Sequence, residues 1–426
     1  MKLAHILASS ALALSALVPQ SAPSQSFSDL APDVIAAVQK CASDNLYHFK
    51  TSACPDPGIK PPIPTTDFPI ALGLRPASIP PSAAPDTKGA FRVICNEVQL
   101  TRDDAVVFPG KPGASHGHAV SGRTMDAFST YENGRASGGS SCNNIAAYDN
   151  NPAEANFALN RTQYWSPWLE DGKGNAVLSD YNSFYYKREP SSSADCLNKT
   201  KFPGGCASIP FDLKFIAGNH PDNPAAYLDS HPVDYLCSYG NGSNPVNYKL
   251  DLRGALECAK AKSAAGLKGQ MIARQVTPDC WDGKRTDSTD HRSHVDYEHR
   301  NSTTGLVYCD AAHPVHIPAF QYSAAYTVLA TDDVSTWRWS CDPMAPTLKA
   351  GWCFHVDYGG MRWDPVVFAA IMANCIDKLL NCSGGVIGDG TALKGGDVPR
   401  YLINGKYVSS WTNPNRIVPI PPMPGM

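Results

Sequence analysis

Tyr322-Ser323-Ala324-Ala325-Tyr326-Thr327-Val328-Leu329 is one of a series of short apolar and aromatic runs whose reading decides the fold class. Others stand at residues 91–94 and 211–216, and from about residue 89 to residue 380 glycine, proline, asparagine and aromatic residues are spread evenly around them. Runs this short, bounded by turn formers, read as short strands joined by long loops. Two segments break the pattern and predict helices. One covers residues 252–264; the other opens at Asp364, suited to an N-cap, and Pro365, suited to the first helical position, with an apolar face through Val366, Ala369, Ala370 and Ile371. The expectation is a mainly β protein: one large sandwich or jelly-roll-like domain, braced by disulfides, with one or two peripheral helices.

Outward from this domain, at residues 89–380, the two ends read differently. Lys2 precedes a largely apolar run at residues 6–18, followed by Pro19, Ser21, Ala22 and Ser24, which is the order of a signal peptide, placed at residues 1–22. The run is shorter than the ~20 residues that span a bilayer, and no other segment approaches that length, so no membrane span is expected. Residues 23–88 hold a short helical candidate at 33–40 and a proline-rich linker or surface wrap at 55–85, its start tied down by Cys41 and Cys54. Residues 381–426 read as a C-terminal extension ending in a proline-rich tail from residue 417.

The chain has 14 cysteines and no C-x-x-C pair, which argues for disulfides over zinc ribbons and for an oxidising compartment. Cys196 with Cys206, Cys341 with Cys353, and Cys375 with Cys382 are near-neighbour candidates. Secretion is expected, or a periplasmic location in a Gram-negative host. A formal charge of −3 with scattered lysine and arginine offers no basic stripe, which removes nucleic acid as a partner; a monomer is expected. No phosphate loop, G-x-S-x-G elbow or H-E-x-x-H sequence is present.

Histidines carry the strongest chemical signal. Three times one is followed two residues later by another ligand-type residue: His116 with His118, His294 with Asp296, and His355 with Asp357. On a strand such pairs point to one face. The densest segment runs from Cys280-Trp281-Asp282-Gly283-Lys284 to Asp290-His291-Arg292-Ser293-His294-Val295-Asp296-Tyr297. If its second half is extended, Asp290, Arg292, His294 and Asp296 share a face, either as an active-site wall or as a network bracing a loop. Gly117, between His116 and His118, leaves room for a close approach from the other side. A metal site would take His116 and His118 with His294 or His355 as the third ligand, and copper or zinc suits imidazole. Tyr164-Trp165-Ser166-Pro167-Trp168 and residues 184–186 are aromatic clusters of the kind that line sugar clefts or fill cores.

The run Pro278-Asp279-Cys280-Trp281-Asp282-Gly283-Lys284 with Asp287-Ser288 and Asp290-His291-Arg292-Ser293-His294-Val295-Asp296-Tyr297 resembles the signature of the domain-of-unknown-function family DUF1996. Ser115-His116-Gly117-His118, Tyr164-Trp165-Ser166-Pro167, Ile216-Ala217-Gly218-Asn219, His313-Pro314-Val315 and Phe354-His355-Val356-Asp357-Tyr358 follow the same pattern, across about residues 91–375. The chain departs from it at Asn219 and in residues 342–351. The resemblance implies export and, by association with carbohydrate-binding modules, a polysaccharide or cell-wall glycan partner; it implies no catalytic assignment.

Three functions follow as expectations. The first is a secreted carbohydrate-active enzyme cleaving an extracellular polysaccharide. For hydrolysis, two of Asp282, Asp290, Asp296 and Asp357 supply acid and base or nucleophile, tuned by His294 or His355. For elimination, His294 or His116 takes the proton, Tyr297 protonates the leaving oxygen and Arg292 or Lys284 neutralises a uronate, with Trp281 and Trp165 against the sugar. The second is a non-catalytic carbohydrate-binding or cell-wall protein. The third is a copper or zinc protein using His116, His118 and His294. Catalysis requires His116, His118, His294 and His355 to reach one hollow.

Overall fold

A computed structural model describes residues 70–129, 139–155, 157–219, 231–238 and 245–422. The signal peptide expected at residues 1–22, the helix expected at 33–40 and the pair Cys41 and Cys54 lie outside the described residues. The protein is mainly β. Its largest sheet has seven strands, in spatial order Val246–Asn247, Asp234–Ser238, Gln270–Val276, Ala319–Thr327, Tyr181–Arg188, Gly89–Cys95 and Asn381–Cys382, antiparallel except for the last pair. A second sheet has five antiparallel strands, in the order Lys214–Gly218, His355–Gly359, Gln163–Pro167, His118–Gly122 and Glu97–Thr101.

Alternation along the strands packs the two sheets face to face. Phe184 and Tyr186, Phe320 and Tyr322, and Phe91 and Val93 turn inward from the larger sheet, while Tyr164, Tyr358 and Phe215 meet them from the smaller. The Tyr164 and Phe184 rings lie 3.8 Å apart between centroids, and Phe320 lies 5.2 Å from Tyr358. Two hydroxyl pairs sit within this aromatic layer: Tyr164 Oη bonds Tyr186 Oη at 2.6 Å, and Ser166 Oγ lies 3.1 Å from Tyr322 Oη. The clusters at 164–168 and 184–186 are therefore largely core, with Tyr185 the member that faces outward.

Both expected helices form. Leu252–Ala264 is capped by Asp251, whose carboxylate accepts from Gly254 N, and buries Leu252, Ala255, Leu256 and Ala259. Pro365–Ile371 starts where Asp364 Oδ1 accepts from Val366 N and Val367 N. Six disulfides join Cys95–Cys142, Cys196–Cys206, Cys237–Cys258, Cys280–Cys309, Cys341–Cys353 and Cys375–Cys382, with no free cysteine among the described residues. Among the described residues no helix is long and apolar enough to cross a membrane.

Segments flanking the two main sheets in sequence are woven into the domain. Leu74–Pro76 pairs with Thr391–Leu393, Asn381–Cys382 closes one edge of the large sheet, and Ile417–Pro419 pairs with Asn175–Val177.

Candidate metal centre

The outer face of the five-stranded sheet carries the histidines. Because Val356 and Tyr358 enter the core, His355 and Asp357 point the other way, and both are buried there beneath loops. His118 opens its own strand; Trp165 and Val120 share this outer side in a small separate cluster with Val106 and Met125. His116 precedes that strand, and Gly117 lets the turn lie flat on an indole: a Cβ at Gly117 would fall 2.1 Å from the Trp168 ring. The close approach expected at this glycine is made by Trp168.

Three rings converge. Centroids lie 4.2 Å apart for His116 and His118, 5.1 Å for His116 and His355, and 6.0 Å for His118 and His355. One nitrogen from each ring lies within 4.8 Å of the other two. The backbone holds Nδ1 of each ring: Nδ1 of His116 lies 3.2 Å from Gly117 O, Nδ1 of His118 lies 3.3 Å from Asp103 O, and Nδ1 of His355 lies 2.8 Å from Cys353 O. A carbonyl only accepts, so each Nδ1 carries a hydrogen, and in the neutral ring the lone pair sits on Nε2. Ser340 Oγ, 3.1 Å from His116 Nδ1, reinforces this assignment because its own hydrogen goes to Gly117 O.

Electrostatics favour neutral rings. Burial pushes His118 down to about 3, with the neighbouring His355 adding to the effect, and pushes His116 well below the usual histidine range, with His118 adding. His118 Nε2 is buried with no hydrogen-bond partner. Both carboxyl oxygens of Asp357 share that condition, and its Oδ2 stands 3.5 Å from His355 Nε2. Burial holds the Asp357 carboxyl well above the ordinary range; Asp104 adds to that and Arg292 opposes it. A hollow of about 70 Å³ opens beside these groups, lined by Asp104, Ser115, His116, Arg292, His355 and Asp357.

The charged segment at 280–297 is placed differently from its sequence reading. Its second half is not extended: His291 has φ +54°, and only Val295–Asp296 is strand, so Asp290, Arg292, His294 and Asp296 do not share a face. Asp290 causes the turn, its Oδ1 accepting from Arg292 N, Ser293 N and Ser288 Oγ. The resulting strap covers the edge strand Lys214–Gly218: Lys214 N donates to Thr286 O, Ile216 N to His291 O, and Arg292 Nη1 to Gly218 O. An edge left bare would invite pairing with another chain. His294 belongs to the strap, its Nε2 2.7 Å from Lys214 O and its Nδ1 2.8 Å from Ser288 Oγ. Lys214 pairs with Gly359, four residues along from His355, or ~13 Å at strand rise. His294 is therefore outside the three-ring cluster, whereas Arg292, at the other end of the strap, reaches the hollow.

The remaining candidates separate similarly. Asp282 caps Lys284 N and Arg285 N and pairs with Arg285 Nε at 2.7 Å. Asp296 Oδ2 lies 3.1 Å from His299 Nε2 on the surface. Trp281 is buried with its indole N–H on Arg285 O, Trp165 is buried beneath the histidines, and Lys284 is exposed. Tyr297 stacks on His231 and lines a cavity elsewhere. Asp104 was missed by sequence reading; its carboxylate caps Val106 N and Val107 N, an ordinary turn role that gives no sign of the hollow. Asn160, in one of five Asn-x-Ser/Thr sequons, is fully buried.

Residues 104–361 match the family model described as Domain of unknown function (DUF1996), more than half of the chain, and the chain belongs to that family. No curated protein and no solved structure matches it.

Proposed function

We propose that this DUF1996 protein is an exported metalloprotein that holds one divalent transition-metal ion through Nε2 of His116, His118 and His355. One observation carries the reading: one nitrogen of each of three clustered imidazoles, two buried and one half-buried, lies within 4.8 Å of the other two, and each Nδ1 faces a backbone carbonyl, which leaves Nε2 with the lone pair. Fixing the tautomer through the far nitrogen is how proteins prepare histidine ligands. The fit is good elsewhere too, since the buried Nε2 of His118 and the two Asp357 oxygens lack hydrogen bonds, a costly arrangement that a cation opposite would relieve.

Three imidazoles without thiolate suit zinc or copper, and such an ion supplies Lewis acidity to a small oxygen ligand. The chain's own groups do the rest. Arg292 and Asp357 both line the hollow beside the rings, where they bring a guanidinium and a carboxyl to any ligand of the ion. Six disulfides support export to an oxidising compartment.

Elemental analysis of exported protein, repeated after stripping and reconstitution with zinc or copper, tests the reading. About one ion per chain is expected, falling below a tenth in His118→Ala and His355→Ala but retained in His294→Ala. A wild-type chain that takes up neither ion, or loses its ion equally in His294→Ala, overturns it.

A further inference from the structure

The outer face of the seven-stranded sheet, on the far side of the sandwich from the histidines, carries two cavities of about 590 Å³ and about 560 Å³ that share Tyr185 and Gln321. We infer that they form one groove that binds a polysaccharide chain, independently of the metal centre.

Register fixes the geometry. Arg92 opposes Tyr185, Tyr185 opposes Gln321, and Gln321 opposes Val276, making a row across four strands. Tyr181, Ser183, Tyr185 and Lys187 follow one another on the outward side of one strand, so the groove extends ~20 Å along it at strand rise. One cavity lies toward Lys187 and Tyr297; the other lies toward Ser183, Arg274 and Trp411.

The lining decides the class of ligand. A peptide adding as a strand needs a sheet edge, whereas these strands have neighbours on both sides. Recognition on the face must therefore come from side chains. Those present are flat rings beside hydroxyl, amide and guanidinium groups. Trp411 is 47% exposed, with its ring edge-on to Tyr181 at 5.1 Å. Tyr185 is held between the Arg92 guanidinium at 5.8 Å and the Lys187 ammonium at 5.3 Å, and Tyr297 is stacked on His231 at 4.2 Å. Preset rings offer apolar surface at small entropic cost, suited to the C–H face of a sugar ring. Gln321 and Ser323 beside them offer donors and acceptors for its hydroxyls.

The test is retention of the full exported chain on a neutral glucan, a mannan and a polyuronate, by affinity electrophoresis and pull-down. Wild type is expected to bind at least one polymer. Tyr185→Ala with Trp411→Ala is expected to weaken binding at least tenfold, and His118→Ala to leave it unchanged. Lys187→Gln identifies the sugar class: loss confined to the polyuronate marks an acidic glycan, and no loss a neutral one. Thermal melting checks the double variant, and Trp411→Ala alone, at an exposed ring, replaces it if the fold is lost. Absence of binding to all three polymers, or equal retention of the folded groove variant, overturns the inference whatever the metal content.

Discussion

The two outer faces of the sandwich begin from the same strand geometry and end in opposite conditions. On the five-stranded sheet every residue of His118–Gly122 and His355–Gly359 is buried, because loops and the strap close over the outward side chains. On the seven-stranded sheet the outward positions Arg92 and Val276 stay exposed, and the space above them is roughly eightfold larger in each cavity than the hollow beside the histidines. Covering a face dries it, which strengthens every polar interaction there and makes an unpartnered group costly. A dry, small, preset site suits a metal ion. A wet, broad face must instead gather affinity from many weak contacts.

The difference is sharpest in packing. Trp168, buried against Gly117, is expected to cost about 4 kcal/mol on truncation to Ala, measured by urea unfolding, with loss of bound metal. A cost below about 1 kcal/mol would mean that the covered face is not rigid. Next comes the seam between the sheets, where Glu97 Oε2 accepts from Ser179 N and Oε1 from Tyr326 Oη. Burial raises the Glu97 carboxyl from 4.5 to about 7, against the pull of those bonds. A raised folded-state value means that its contribution is complete below pH 4.5 and is lost as pH rises through 7. The loss amounts to at most about 3 kcal/mol at 1.36 kcal/mol per unit. Glu97→Gln is expected to flatten the stability profile between pH 4.5 and 7; an unchanged slope would place the carboxylate in water.

Zinc or copper at a hundred times its Kd is expected to stabilise wild type by about 2.7 kcal/mol, read as a shift in the urea midpoint. His355→Ala is expected to show no shift, and an equal shift in that variant would point to another site. Asp357→Asn keeps the shape but removes the carboxylate beside His355, and metal affinity is expected to fall about tenfold by competition titration. On the open face Ser323→Ala is expected to change stability by less than about 0.5 kcal/mol. A larger change there would erase the contrast between the faces.

Much of the scaffold was legible in the sequence because it is written in local chemistry. Asp364 and Pro365 start a helix, short apolar runs become strands, and three near-neighbour cysteine pairs close. His355 and Asp357 share a face because they lie on one strand. His116 and His118 meet for another reason, a flat turn over Trp168, which spacing alone does not reveal. The segment at 280–297 misled, since its charges suggest a cleft wall. Asp290 bends the chain instead, and the edge strand takes up the segment's carbonyls. The carbonyls of Gly117, Asp103 and Cys353 that orient the rings belong to the backbone and carry no residue signature. Nor does the groove, whose row from Arg92 to Val276 is assembled by register from four distant segments.

Two pairings between segments far apart in sequence bear on how the protein folds. Leu74–Pro76 waits for Thr391–Leu393, and Asn175–Val177 waits for Ile417–Pro419, so partners more than two hundred residues apart must find each other. Such long-range pairing slows folding and lengthens the exposure of unpaired strands. Neither pairing can form before residues 391–393 and 417–419 have been made, so two strands laid down early stay without their partners until late in synthesis.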